Sequence, residues 1–335
     1  MNPRKPRHKV LLKDIAEKTG FSVNTVSHAL HDLDDVKPQT KAIIQKAASE
    51  LGYIGNASAR YLRSGRSYTI AIILGDVSNP HFSLIVKQID VLLRERHYIS
   101  LVLNTDENTA LERAAIQTAA RQNVDGIILC PTGGSEENIA FLQSLQIPFV
   151  LIGRRLHMPR LSYVVCDDVK SGYMLTSYLL KQGHHRILFL NGPLEISSAA
   201  ERLEGYRRAM REYAADSADD CVYTIPITAA DSDPLIRDAL VTHADCTAVI
   251  AFSDILAMRT AYCLRQIDSA RAGQVALAGF DNIQQSFPLN LPLISVGTGN
   301  AVLASKSVEL LFQLLDTPEK APLQAVLDTQ LVIYP

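Results

Sequence analysis

The sequence predicts two folds in one chain, a small all-α head carrying a helix-turn-helix and a larger α/β body of two lobes. Three observations carry this reading. From residue 69 onward, short runs rich in Val and Ile alternate with segments of helical period, the pattern of a parallel sheet covered by helices. Before residue 69 there are only short amphipathic helices punctuated by Gly, Ser and Pro. The charge divides at the same place: residues 1–66 hold twelve Lys and Arg against six Asp and Glu, and the remainder holds 21 against 29. The net charge of −2 over 335 residues therefore conceals a basic head on an acidic body, and the length suits two domains, or three if one is small. With 47% apolar and 20% charged residues, disordered and fibrous classes are excluded.

In the head, Leu12, Ile15 and Ala16 share one helical face, Gly20 supplies a turn, and Ser22 stands as N-cap ahead of a second helix over 23–30. Burying Val26 with Ala29 or Leu30 points Val23, Asn24 and His28 outward, where such a helix enters a major groove. Asn reads adenine bidentately, while His and Val add hydrogen-bond or thymine-methyl contacts. Pro38 opens a third helix with Ile43, Ile44, Ala47 and Leu51 as its core stripe and Lys41 and Lys46 opposite, and Gly52 ends it as a left-handed cap.

In the body, strands are expected near 69–74, 99–103, 126–130 and 149–152, then near 187–190, 222–225, 248–251 and 275–278. Helices are expected near 81–96, 107–121, 135–144, 168–182, 199–213, 232–242 and 255–267. Eight or so βα units could close into one barrel or split into two lobes with a cleft between them, and the irregular stretch 153–168, with Pro159 and three Arg, is where a crossover between lobes is expected. After Phe280 the chain reads as irregular through Pro288, Pro292 and Gly299, followed by a helix near 301–315 and one last strand near 325–333.

The segments LLKDIAEKTGFSVNTVSHAL and KPQTKAIIQKAASELGYIGNASARYLRSGRSYTIAII resemble the DNA-binding head and hinge of the lactose-repressor/galactose-repressor (LacI/GalR) family. The resemblance implies a head over 1–55, a hinge helix and linker over 56–66, and an effector-binding and dimerising body over 67–335. It further implies binding to double-stranded operator DNA as a homodimer, with Asn56 opening the hinge helix and Leu62 wedged into the minor groove, where an apolar side chain kinks the duplex. Ala57 and Ala59 would let two hinge helices approach, and Arg60, Arg63 and Arg66 would neutralise phosphates. Ser22, Thr25, Ser27 and Thr40 would supply sequence-independent hydrogen bonds. Three features depart from the family: Gly55 in place of a common Pro, His31 in place of a frequent Asn, and an acidic loop of Asp32, Asp34 and Asp35.

DVSNPHF, NVDGIIL, IPFVLIGR, GHHRILFLNGP, AAERLEGYRRAM, FSDILAM and LAGFDN extend the resemblance to the family's two-lobed effector domain, which is similar to periplasmic sugar-binding proteins. Lobe 1 is expected over about 67–160 and 294–318, and lobe 2 over about 161–293 and 319–335. Strand C-terminal ends line the cleft in such sheets. That rule gathers Asp76, His81, Phe82, Ser198, Arg202, Phe252, Ser253, Phe280 and Asp281 around a small-molecule effector. By the family's pattern Arg202 and Asp281 bind it, with a mutual salt bridge or a helix cap as the alternative, and a sugar or an acidic group would suit them. Asp254 and Asp167 or Asp168 read as helix N-caps. Trp is absent, which weakens a pyranose-stacking site. Ser253 and Arg259 stand where relatives carry Asn and Gly.

Five widely spaced cysteines without a CxxC pair suggest neither disulfides nor zinc, and His184 with His185 lack further ligands, so no metal and no cofactor are expected. GxGxxG, GxxxxGK[ST] and GxSxG are missing, which argues against an enzyme. There is no signal-peptide pattern and no apolar run of about 18 residues, so a cytoplasmic protein without membrane contact is expected. The alternative is a solute-binding protein or sugar-processing enzyme that shares the lobes. The effector, its sign of action and the operator stay open.

Overall fold

The computed structural model describes residues 10–30, 33–53, 65–213, 221–227, 232–287 and 291–335, which form two compact units, Met1–Ser67 and Tyr68–Pro335. The expectations placed on His31, Asp32, Gly55, Asn56, Ala57, Ala59, Arg60, Leu62 and Arg63 lie outside the described residues.

The first unit packs α1 (Leu12–Thr19), α2 (Val23–Leu30) and α3 (Pro38–Leu51) around Ile15, Val26, Ala29, Val36, Ile44, Ala47 and Ala48. Gly20 and Gly52 adopt φ of 74° and 69°, the left-handed caps that end α1 and α3. Ile43, expected in the core stripe, is 52% exposed. It lies one helical step from Ile44, and the inward face of α3 is instead Ile44, Ala47, Ala48 and Leu51.

The second unit contains two six-stranded sheets. The first uses β1 (Thr69–Leu74), β2 (Ile99–Asn104), β3 (Gly126–Leu129), β4 (Phe149–Ile152), β5 (Tyr163–Cys166) and β11 (Gln324–Leu327) in the order β11-β5-β4-β3-β1-β2, all parallel. The second uses β6 (Ile187–Asn191), β7 (Val222–Thr224), β8 (Ala248–Ala251), β9 (Ala276–Phe280), β10 (Leu293–Gly297) and β12 (Gln330–Tyr334) in the order β12-β10-β9-β8-β6-β7, with only β12 antiparallel. Both faces of each sheet are buried. Ile70, Ile72 and Leu74 pack into one cluster while Ala71 and Ile73 join another, as the two-residue period of a strand requires. Helices α4 (Pro80–Arg94), α5 (Thr109–Arg121), α6 (Glu136–Ser144), α7 (Asp168–Lys181), α8 (Ser197–Glu212), α9 (Ser232–Thr242), α10 (Asp254–Ile267), α11 (Ser269–Ala272) and α12 (Asn300–Asp316) make up the covering layers and connections.

Three boundaries differ from the sequence reading. The stretch 153–168 contains β5, which pairs Leu151 with Tyr163, so residues 163–166 belong to lobe 1 and the chain first crosses between lobes at Asp167. Four strand residues behind a Pro-containing loop are too short a run to stand out by periodicity. The stretch after Phe280 contains β10, so 294–297 belong to lobe 2; Pro292 precedes the strand and removes no ladder hydrogen bond. The single last strand is two strands, one in each sheet, separated by Asp328 and Thr329. No helix among the described residues is long and apolar enough to cross a membrane.

Candidate functional site

In the head, Ser22 caps α2: its Oγ accepts from Thr25 N at 3.1 Å and shares a 2.9 Å hydrogen bond with Thr25 Oγ1. Val23 and Asn24 are exposed on the first turn, and Thr40 is half-buried at the start of α3. Ser27 is buried beside Val26, so the structure does not present it to a phosphate: packing against the other helices reaches this far round α2. His28 is held by the acidic loop, with its Nδ1 2.5 Å from Asp35 Oδ2. A residue expected to face bases thus already has a partner.

In the body, the cleft between the sheets collects Asp76, His81, Phe82, Ser198, Arg202, Phe252, Ser253 and Asp281, and Phe280 lines an adjoining cavity with His81, Arg202 and Asp281. Each stands just past a strand's C-terminal end or in the first turns of the following helix. Asn79 caps α4 by accepting from His81 N at 3.0 Å, and Ser253 caps α10 by accepting from Leu256 N at 3.2 Å. Asp281 and Asn282 follow β9 with φ of 99° and 53°. Two consecutive non-glycine residues in this region cost on the order of 1–3 kcal/mol each, the kind of strain found at binding sites.

Arg202 is the centre of the lobe 2 wall. Its Nε donates to Asp168 Oδ1 at 2.8 Å and its Nη1 to Phe252 O at 2.5 Å, while its guanidinium lies 4.9 Å from the Phe252 ring centroid and 4.3 Å from that of Phe280. The ion pair depends on close approach of α7 and α8. A Cβ at Gly172 would lie 2.2 Å from Arg202 O, and one at Gly205 2.2 Å from Val169 O, so both positions require glycine. Burial pushes the Asp168 carboxyl up from its ordinary value despite the opposing pull of Arg202. Burial opposes charge on Arg202 too, but Asp168 and Asp281 hold its pKa above the ordinary guanidinium value. On lobe 1, Arg154 makes a two-pronged pair with Glu107 at 2.7 and 2.9 Å and donates to Pro131 O at 2.9 Å.

The lobes touch across the cleft. Arg155, just after β4, donates from its backbone N to Ser197 Oγ at 2.9 Å and from Nε to Glu201 Oε1 at 2.8 Å in α8. His81 Nδ1 lies 4.0 Å from Asp281 Oδ1 and has no hydrogen-bond partner among the described residues.

Several expectations change. Arg202 pairs with Asp168 rather than with Asp281, and Asp168 is therefore an ion-pair partner, while Asp167 caps α7 by accepting from Lys170 N at 2.9 Å. Asp254 is no cap either: fully buried, it accepts from Ser295 Oγ at 2.7 Å and Ile283 N at 2.9 Å, and burial followed by repulsion from Asp281 pushes its carboxyl up to about 8. Arg259 is taken up by Asp233 at 2.7 Å. Glu107 and Arg154 line the cleft and were missed. The strand-end rule that selected Asp76 would have found both, since they follow β2 and β4 closely.

No hydrogen bond joins His81 to Ser198, Ser253 or Cys130 among the described residues, and burial pushes the Cys130 thiol up to about 12. The cleft therefore pairs no nucleophile with a base. It can enclose a small polar molecule between carboxylates, guanidinium groups and phenyl rings.

Comparison with known proteins agrees with this architecture. Residues 67–310 match the family described as periplasmic binding proteins and sugar binding domain of LacI family, and residues 11–56 match bacterial regulatory proteins, lacI family. Among curated proteins, the transcriptional regulator CelR of Thermobifida fusca is 28% identical over 334 residues, covering 98% of each chain. The repressor PurR of Aliivibrio salmonicida is 23% identical, covering 90% of this chain and 91% of its own. Among solved structures, a CelR–cellobiose complex is 26% identical with a TM-score of 0.71, covering 97% of this chain and 98% of its own. The lac repressor dimer bound to operator and the anti-inducer ONPF is 20% identical with a TM-score of 0.81, covering 97% and 98%, a likeness of fold. With both of its parts matched in order along the chain, the protein belongs to the LacI family of bacterial regulatory proteins and is a DNA-binding transcriptional regulator of the helix-turn-helix type.

Proposed function

We propose that this regulator is a cytoplasmic repressor that binds a roughly palindromic operator as a homodimer, and that a neutral, hydroxyl-rich effector in the interlobe cleft sets its operator affinity. The observation that carries the effector class is the charge of the cleft. Arg154 is matched by Glu107 and Arg202 by Asp168, which among the described residues leaves Asp76 and Asp281 as formal negative charges with no cation of their own beyond His81. Sugar hydroxyls donate to such carboxylates, whereas an anionic effector would meet net repulsion. Relatives support the reading: one structure carries cellobiose, another carries operator and ONPF. The cleft's lack, among the described residues, of a paired nucleophile and base favours binding over catalysis.

Effector control requires contacts that differ between lobe arrangements. Arg155 with Glu201 and His81 with Asp281 are such contacts, since each joins one lobe to the other. Residues 1–55 as head, 56–66 as hinge and Leu62 as minor-groove wedge complete the proposal.

The test is fluorescence anisotropy with an operator selected from random sequence, measured as salt rises. Sequence-selective affinity that falls with salt is expected; no preference, or no salt dependence, refutes the repressor reading. Thermal-shift screening with neutral sugars and their phosphorylated forms, repeated with operator, tests the effector. Tighter binding of the phosphorylated member of a pair would refute the charge argument. Leu62→Ala should weaken specific operator binding with the body's melting unchanged.

A further inference from the structure

Cys221, His243 and Cys246 belong to neither the head nor the cleft. Cys221 sits just ahead of edge strand β7, 22 residues before His243, and His243 and Cys246 lie three apart in the turn between α9 and β8. Their spacing along the chain hides them, but folding brings one donor atom from each within 4.8 Å of the other two. All three are buried, at 4%, 8% and 3% exposure.

The geometry is that of a coordination edge. Cys221 Sγ lies 3.7 Å from His243 Nδ1. Zinc–sulfur and zinc–nitrogen bonds of about 2.3 and 2.0 Å at tetrahedral angles place S and N about 3.5 Å apart. The imidazole is oriented from behind, with Tyr223 Oη 3.0 Å from Nε2, so that an Nε2–H donating to the phenol leaves the Nδ1 lone pair facing the sulfurs. The turn is pinned as well: Arg271 donates to the carbonyls of Leu240 at 2.9 Å, His243 at 2.8 Å and Cys246 at 3.4 Å.

We propose that Cys221, His243 and Cys246 bind one Zn2+ through two thiolates and Nδ1, tying edge strand β7 to the turn before β8. Two sulfurs and an imidazole nitrogen form a soft donor set that suits a thiophilic ion. As the ion binds, each cysteine releases its proton to solvent, and two thiolates balance a dication, which a buried site requires. Water fills the fourth position of the tetrahedron. A metal here would depart from the sequence-based expectation that the cysteines hold none.

The test uses the full chain, reduced and stripped of metal. Titration with Zn2+ against a chromophoric chelator should show one tight equivalent, and Co2+ should give a thiolate charge-transfer band. Cys221→Ser/Cys246→Ser should lose both signals, whereas Cys263→Ala should keep them. Because the double variant can fail to fold, the wild-type chain supplies a second readout: Zn2+ should protect Cys221 and Cys246 from alkylation, as mapped by mass spectrometry. Weak or absent Zn2+ binding, binding retained in the double variant, binding of Cu+ alone, or a Cys221–Cys246 disulfide in place of the free thiols would each overturn the proposal.

Discussion

Replacing Arg202 with Met separates the two roles of the buried ion pair. The side chain is nearly isosteric but removes the guanidinium bonded to Asp168, which is 3% exposed, and the cation held over Phe252 and Phe280. Removing one partner of a buried pair typically costs about 3–5 kcal/mol, because the other charge is left without compensation. At about 2–4 °C per kcal/mol for a domain of this size, the melting temperature should fall by roughly 10 °C at neutral pH. The loss should depend on pH with a definite sign. Without Arg202, burial and the nearby Asp281 and Asp167 carboxylates act on Asp168 unopposed and raise its folded-state pKa further; a raised pKa stabilises the fold at low pH, and that contribution is lost as pH rises through the folded value. The deficit of Arg202→Met should therefore be smallest in acid and grow toward neutrality. Adding Asp168→Asn removes the stranded charge and should recover most of the loss, to within about 1–2 kcal/mol of wild type. Denaturant unfolding followed by circular dichroism at several pH values measures all three chains. A loss below about 1 kcal/mol for Arg202→Met, or no recovery in the double variant, would refute the account of Arg202 as a charge buried for its partner.

Asp254, raised to about 8, contributes stability that is full at low pH and declines as pH rises through that value. Asp254→Asn should flatten the melting-temperature profile between mildly acidic and alkaline pH, and an unchanged slope would count against it. Asp35→Asn frees His28 from its 2.5 Å partner and removes a negative charge from the head, so operator affinity by anisotropy should rise by up to a few-fold, the scale of an exposed pair. A fall in affinity would show that Asp35 helps to position His28 for DNA. Gly205→Ala places a Cβ against Val169 O and should destabilise the body by about 1–3 kcal/mol in urea unfolding; a neutral result would mean that α7 and α8 can separate without cost.

Much of the molecule was legible as pattern. The βα alternation from residue 69 and the Ser22, Gly20 and Gly52 caps are local signals, set by side-chain period and backbone sterics, and they reappear in the structure. The rule that strand ends line the cleft gathered Asp76, Ser198 and Asp281, residues far apart in the chain, because parallel strands deliver every C-terminal end to one edge. Partner choice was not legible. Whether Arg202 meets Asp281 or Asp168 depends on how closely α7 and α8 approach, which Gly172 and Gly205 decide through contacts that no local window contains.

Period, capping and composition are properties of short segments, and they specify a helix-turn-helix head, a body of alternating strands and helices, and the division of charge between them. Long-range packing settles which lobe owns β5, β10 and β11, turns Ser27 inward, holds His28 on Asp35 and brings Cys221 to His243 and Cys246. One cause runs through all of these. Sheet order and helix approach set the distance between residues far apart in the chain, and that distance governs every ion pair, hydrogen bond and coordination edge.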